Sequence, residues 1–141
     1  MKPRLVFFGT SGNISHHVLS NLFKHYDIQG VVESKIKQNS LFLTIIRSVF
    51  NIFNHKSILN FSYKNKLPYL KICKKNSTDL QFFLDKIKPD IVCICSFSFL
   101  LGAKILERKN CVFINAHPSF LPDYRGPNTL FWHYYNMEEY T

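Results

Sequence analysis

Acidic side chains are missing between Ser34 and Thr78, a stretch that carries nine lysines or arginines and no aspartate or glutamate. The rest of the chain holds nine residues of each sign, so the whole net charge of +9 lies in that segment. Such a run is either a solvated lysine-rich surface or an electropositive face for a phosphate-bearing substrate or nucleic acid, and the charge pattern by itself favours the solvated surface. Long apolar runs are scarce too. The longest, 41–53, is interrupted by Arg47 and Asn51. It falls short of the roughly 20 residues that cross a bilayer, and an amphipathic helix is expected there instead. The opening Met1-Lys2-Pro3-Arg4 leads into a short apolar run broken by Thr10, Ser11, Gly12 and Asn13, which does not make a signal peptide. A cytoplasmic location and no membrane association are expected. Cysteine is limited to Cys73, Cys93, Cys95 and Cys111. The last three sit in apolar, strand-like runs where a thiol packs as a small hydrophobe. Cys93 and Cys95 share a strand face with poor geometry for a mutual disulfide.

What is present is a globular balance: 46% hydrophobic and 16% aromatic residues in a 141-residue chain, enough for one domain with a core of its own. Arg4-Leu5-Val6-Phe7-Phe8-Gly9 is an apolar run ending in a turn. A helical pattern follows, with Ile14, Val18, Leu19, Leu22 and Phe23 on one face. Residues 28–33 read as a second strand, 67–74 as a third, and 76–79 offer caps for a helix through Ile87 that Pro89 stops. Asp90-Ile91-Val92-Cys93-Ile94-Cys95 is nearly continuous in apolar character, as expected of a central strand buried on both faces. Helices are predicted over 100–108 and 128–139, with a fifth strand over 111–115. Alternating strands and helices imply an α/β fold with an open, mostly parallel, Rossmann-like sheet and flanking helices. In such sheets ligands gather at the carboxyl ends of the strands, which points to three loops: 9–13, 96–99 and 116–128.

The third loop carries the densest chemistry. Asn115-Ala116-His117-Pro118-Ser119-Phe120-Leu121-Pro122-Asp123-Tyr124-Arg125-Gly126 follows a buried strand and sets an amide, an imidazole, two prolines and an arginine within twelve positions. Strand alternation puts Asn115 and His117 on one side of the emerging chain, where two hydrogen-bonding groups converge on one small object. Pro118 biases His117 towards an extended conformation, and Pro122 and Gly126 shape the turn. Taken singly, either polar residue would more often be a turn cap or a partly buried filler.

Together with its Ser-x-Leu-Pro-x-x-Arg-Gly continuation this segment resembles the formyl transferase family, which includes methionyl-tRNA, glycinamide-ribonucleotide and nucleotide-sugar formyltransferases that use 10-formyltetrahydrofolate. Val6-Phe7-Phe8-Gly9-Thr10 fits the family's opening strand and turn, and Asp90-Ile91-Val92 its fourth strand. The resemblance covers the chain apart from a basic excursion at about 34–66. It implies that residues 1–141 form the N-terminal domain of such an enzyme, with the last strand or strands missing. It also implies attack of a substrate amine on the formyl carbon, with the Asn115 amide donating to the developing oxyanion and His117 stabilising charge and transferring a proton. Ser119, Phe120, Leu121 and Pro122 match the loop that lies against the folate, Phe97 and Leu100 fall where the family lines the pterin pocket, and the Leu121-Pro122 bond is expected to be cis. The family's third catalytic group, an aspartate after a further strand, is expected beyond Thr141, so that the 141-residue chain by itself is expected to be either a fragment of a working enzyme or catalytically inactive; Asp123 occupies a variable loop position and is not its substitute. A sheet lacking that strand is expected to expose an unpaired edge. The acceptor that the resemblance implies is a small-molecule or nucleotide-linked amine, with an amino-sugar nucleotide expected slightly ahead of methionyl-tRNA and tRNA itself a possible partner.

Two other classes compete. Gly9-Thr10-Ser11-Gly12-Asn13 after a first strand, with Glu33 ending the second, suggests dinucleotide binding, although the full G-x-G-x-x-G spacing is absent. The basic segment with Phe61, Tyr63 and Tyr69 suggests an RNA-binding module, without any motif to support it. His16, His17, His25, His55 and His133 show no metal-ligand spacing, and surface or capping roles are expected for them.

Overall fold

A computed structural model describes residues 2–35, 57–73, 78–119, 121–126 and 129–137. The helix expected over 41–53 and most of the basic excursion lie outside the described residues. Among the described residues there are five strands: β1 Arg4–Gly9, β2 Asp27–Ser34, β3 Tyr69–Ile72, β4 Ile91–Cys95 and β5 Val112–Ala116. The helices are α1 Asn13–His25, α2 Ile58–Lys64, α3 Thr78–Ile87, α4 Ala103–Leu106 and α5 Thr129–Tyr135. All strand pairs are parallel, in the order β3-β2-β1-β4-β5. The chain fills one side of the sheet outward from β1 and then crosses to the other side for β4 and β5. The carboxyl ends of β1 and β4 therefore frame a topological switch point, where the crossing connections leave a crevice.

The apolar run of β1 follows from burial on both faces. Val6 and Phe8 enter one core cluster with Val32, Ile72, Leu80, Leu84, Val92 and Ile105, so that face is covered by α3 and α4. Leu5 and Phe7 enter the other with Leu19, Ile28, Val31, Ile58 and Cys95, beneath α1 and α2. Phe7 and Phe8 have no exposed surface, and each contributes on the order of 1.5–3 kcal/mol of transfer free energy. Cys93 packs on the same cluster as Cys95, as the two-residue spacing predicts.

Three elements differ from expectation for local reasons. On α1 the buried line runs through Ser15 and Leu19, whereas Ile14 is 63% exposed; Ser15 turns inward because its hydroxyl is bonded at the sheet end. The helix expected over 100–108 shortens to α4, since Gly102 is extended (φ −78°, ψ 161°) and caps it, and Leu101 packs into the core ahead of it. Within the excursion, residues 58–64 form α2. Ile58 is fully buried, and Phe61 sits edge-on to His16 and Phe23 at 5.7 and 5.4 Å.

No helix among the described residues is long and apolar enough to cross a membrane. β5 lies at the sheet edge, with Val112 60% and Ile114 50% exposed on the face that α1 and α2 leave uncovered. The thiols give a first test. Burial pushes Cys93, Cys95 and Cys111 up from the ordinary thiol range, while Cys73 is exposed. Iodoacetamide at neutral pH is expected to modify Cys73 about tenfold or more faster than Cys95, because the thiolate is the reacting form and access limits the rest. Peptide mass mapping checks this; equal rates would contradict the buried placement of β4.

Candidate active site

The floor of the crevice is tied together by two buried serines. Ser15 donates from Oγ to the Cys95 carbonyl at 3.1 Å and accepts from the Thr10 amide at 3.3 Å. Ser34 donates to the Gly9 carbonyl at 3.4 Å and accepts from the Ser98 amide at 2.8 Å. The loop after β1 and the loop after β4 are thus held in one arrangement by side chains of α1 and β2. Gly9 is required where they meet: a Cβ there would stand 2.7 Å from Phe7 Cε1 and 3.2 Å from the Cys95 carbonyl oxygen. Ser96 turns the chain out of β4 with φ 55°, a left-handed conformation that costs a residue with a Cβ about 1 kcal/mol or more.

The loop after β4 supplies an aromatic wall. Phe97 is half-buried, its ring centroid 5.2 Å from that of Phe8 and 6.2 Å from Phe99 in an edge-on pair. Leu100 projects outward, 78% exposed, while Leu101 turns in. Phe113 of β5 packs on the same core face as Phe97, and strand alternation places Asn115 on that side of β5. Asn115 is paired in register with Ile94 and is exposed at the strand's end.

His117 follows one residue beyond β5 and is half-buried. Its Nε2–H donates to the Tyr124 carbonyl at 2.8 Å, and Ser119 Oγ donates to the same oxygen at 3.3 Å. Arg125 Nε donates to the Pro122 carbonyl at 2.8 Å, closing the turn. The Leu121-Pro122 bond is cis, as expected, and Tyr124 has φ 49°. Leu121 and Pro122 present exposed apolar surface. Phe120 lies outside the described residues. Asp123 is exposed, and the partner of His117 Nε2 is a backbone carbonyl rather than that carboxylate.

Sequence reasoning missed Tyr124, which organises the loop. Besides its carbonyl, its ring packs at a tilt against that of His133, with centroids 4.1 Å apart, and its hydroxyl accepts from Asn136 Nδ2 at 2.7 Å. His133, expected at the surface, is 8% exposed. Spacing gives no warning of a carbonyl that serves two side chains, and a tyrosine nine residues before a histidine is not a pattern. Glu33 was noted only as a ribose ligand. It is 6% exposed, with Ser11 Oγ donating to Oε1 at 2.8 Å and the Tyr69 hydroxyl donating to Oε2. That placement turns the acid into the protein and speaks against the dinucleotide reading. The RNA reading loses Phe61 to the core and Tyr69 to Glu33; Tyr63 remains 87% exposed.

The formyl transferase family model matches residues 4–141. Methionyl-tRNA formyltransferase of Clostridium acetobutylicum is 27% identical over 139 residues, covering 98% of this chain and 42% of that protein. The chain spans about two fifths of the length of such relatives. Among solved structures, phosphoribosylglycinamide formyltransferase from Brucella melitensis superposes with a TM-score of 0.68 at 18% identity, covering 97% of this chain and 68% of that one. Formyltetrahydrofolate deformylase from Pseudomonas putida gives 0.62 at 16%, covering 96% and 45%. These two likenesses concern the fold. With the family model matching nearly its whole length, the chain belongs to the formyl transferase family.

Proposed function

We infer that the protein moves a formyl group from 10-formyltetrahydrofolate to a primary amine, with Asn115 and His117 as the reacting pair. The observation that carries this is the state of His117: its Nε2–H is engaged by the Tyr124 carbonyl, which leaves Nδ1 as the acceptor of the neutral ring. An imidazole held in that tautomer, at the end of the strand that presents Asn115, is set to take a proton from an attacking amine at Nδ1. Once protonated it donates from both nitrogens and favours negative charge nearby. The Asn115 side-chain amide is a preorganised donor for charge that develops on a carbonyl oxygen.

The surroundings fit a folate donor. Phe97 and Phe99 offer an edge-on aromatic pair, Leu100, Leu121 and Pro122 offer exposed apolar surface, and the peptide groups of the 96–102 loop lie outside helix and strand. A flat heterocycle with a polar edge is matched by such walls and peptide groups. When bound, the donor supplies an activated formyl group. The chain's part is to hold it, to position the amine at the β1/β4 crevice, and to move the proton through His117.

Relatives named methionyl-tRNA formyltransferase make aminoacyl-tRNA one acceptor class; the wording of the His117 to Phe120 motif makes an amino-sugar nucleotide another. An acceptor panel tests both the reaction and its class. Methionyl-tRNA, glycinamide ribonucleotide and an amino-sugar nucleotide are each incubated with 10-formyltetrahydrofolate and the protein. One acceptor is expected to gain a formyl group in step with donor loss. Donor binding that does not occur, or no acceptor-linked formyl group on any amine, would count against the reading.

A further inference from the structure

In the turn after β5, the backbone and the side chain of Tyr124 face different partners. The Tyr124 carbonyl accepts from His117 Nε2–H at 2.8 Å and from Ser119 Oγ at 3.3 Å, which uses both lone pairs of that oxygen. Its direction is set by the Tyr124 backbone, which is left-handed with φ 49°. Glycine and asparagine visit that conformation readily, whereas a residue with a bulky side chain adopts it only at a cost. A tyrosine there is therefore held by contacts from outside the turn.

Those contacts come from α5 and the turn that closes it. The Tyr124 ring packs against that of His133 with centroids 4.1 Å apart, and Asn136 Nδ2 donates to the Tyr124 hydroxyl at 2.7 Å. The Asn136 amide is bonded to the Trp132 carbonyl at 3.0 Å, so Asn136 continues the helical geometry. Standing three residues apart, His133 and Asn136 share one face and grip the side chain from its ring to its tip. His133 and Thr129, one turn earlier, are buried, whereas Phe131, Tyr134 and Tyr135 are all more than half exposed. Tyr124 thus meets the buried face of α5. The grip matters for the reaction because the hydrogen bond made by one ring nitrogen decides where the proton of a neutral imidazole sits. A carbonyl only accepts, so it keeps the proton on Nε2 and the lone pair on Nδ1.

We propose that Tyr124 is a positioning residue for His117: its side chain, clamped by His133 and Asn136, keeps its own carbonyl on Nε2 and so reserves Nδ1 for the proton of the substrate amine. This rests on the reading that His117 takes that proton. The clamp makes α5 part of the machinery that sets the tautomer, although none of its side chains bonds to His117 itself.

The test is NMR of the full chain with nitrogen-15 in its histidines, at about pH 8.5, roughly two units above the ordinary histidine value. It uses no formyl donor. In the wild-type chain His117 is expected as the Nε2–H tautomer, with that proton visible because its exchange with water is slowed. Tyr124→Asn suits the left-handed backbone but removes the ring and the hydroxyl, and the Nε2–H signal is expected to be lost. Tyr124→Phe, which keeps the ring against His133, is expected to retain the signal, as is Tyr134→Ala on the exposed side of α5. An Nδ1–H tautomer in wild type overturns the proposal whether or not any variant folds. A signal that persists in a folded Tyr124→Asn also overturns it, because backbone preference then suffices, as does loss of the signal in Tyr124→Phe or Tyr134→Ala. Persistence in Tyr124→Asn removes the role of Tyr124 and leaves the formyl-transfer reading intact. The expected signals, with no acceptor in the panel gaining a formyl group, leave the clamp standing and remove that reading.

Discussion

Replacing Asn115 by alanine is expected to lower the turnover of formyl transfer about 10²–10³-fold, the loss typical of removing one oxyanion donor. The side chain is exposed at the end of β5, so little stability goes with it and the melting temperature stays close to that of the unaltered protein. His117→Gln is the sharper companion. Glutamine keeps a donor for the Tyr124 carbonyl, which His117 now serves at 2.8 Å, but it cannot take a proton. Loss of general acid–base catalysis of about 10²–10⁴-fold is expected, with the 117–125 turn preserved. Steady-state kinetics and thermal melts on both variants check this. Unchanged turnover in either variant contradicts the assigned role; lost turnover accompanied by a collapsed melt in His117→Gln means that its role is structural.

Phe8→Ala carries the second large effect, on stability and on the site together. Phe8 is fully buried, and its ring supports Phe97 at 5.2 Å. Truncating a buried phenylalanine costs about 3–5 kcal/mol, the lost transfer free energy plus the cavity left behind. Set against a total of about 5–15 kcal/mol for a native domain, that removes roughly a fifth or more of the margin. The same change takes away the floor beneath the aromatic wall, so donor KM is expected to rise even where the variant remains folded. Denaturant melts measure the first effect and donor titration the second. A cost below about 1 kcal/mol contradicts the placement of β1 at the centre of two cores.

The sheet was legible because its strands announce themselves. An unbroken apolar run such as 5–8 fits burial on both faces, and the turn residues after Gly9 mark its end as Pro89 marks the approach to β4. The Asn115 to Gly126 segment stood out because an amide, an imidazole, two prolines and an arginine crowd twelve positions, and its Leu121-Pro122 bond is cis as the family resemblance implied. The rest depends on contacts distant in sequence. Ser34 joins Gly9 to Ser98, and Glu33 joins Ser11 to Tyr69; such bonds depend on which strands become neighbours, and local pattern does not encode that. α2 was overlooked because seven residues carry too little periodicity, although Ile58 and Phe61 stand at helical spacing. The extended backbone at Gly102 shortened α4, where propensity alone would have continued the helix through 100–102.

The most direct test of the central claim follows the formyl carbon itself. Donor labelled with carbon-13 at the formyl position is incubated with the protein and the acceptor selected from the panel, and the products are read by NMR. The account predicts a formamide signal on the acceptor nitrogen, appearing in equal amount with tetrahydrofolate and lost in Asn115→Ala. Label recovered as formate with the acceptor unmodified would contradict it, since the chain would then be directing the formyl group to water rather than to an amine.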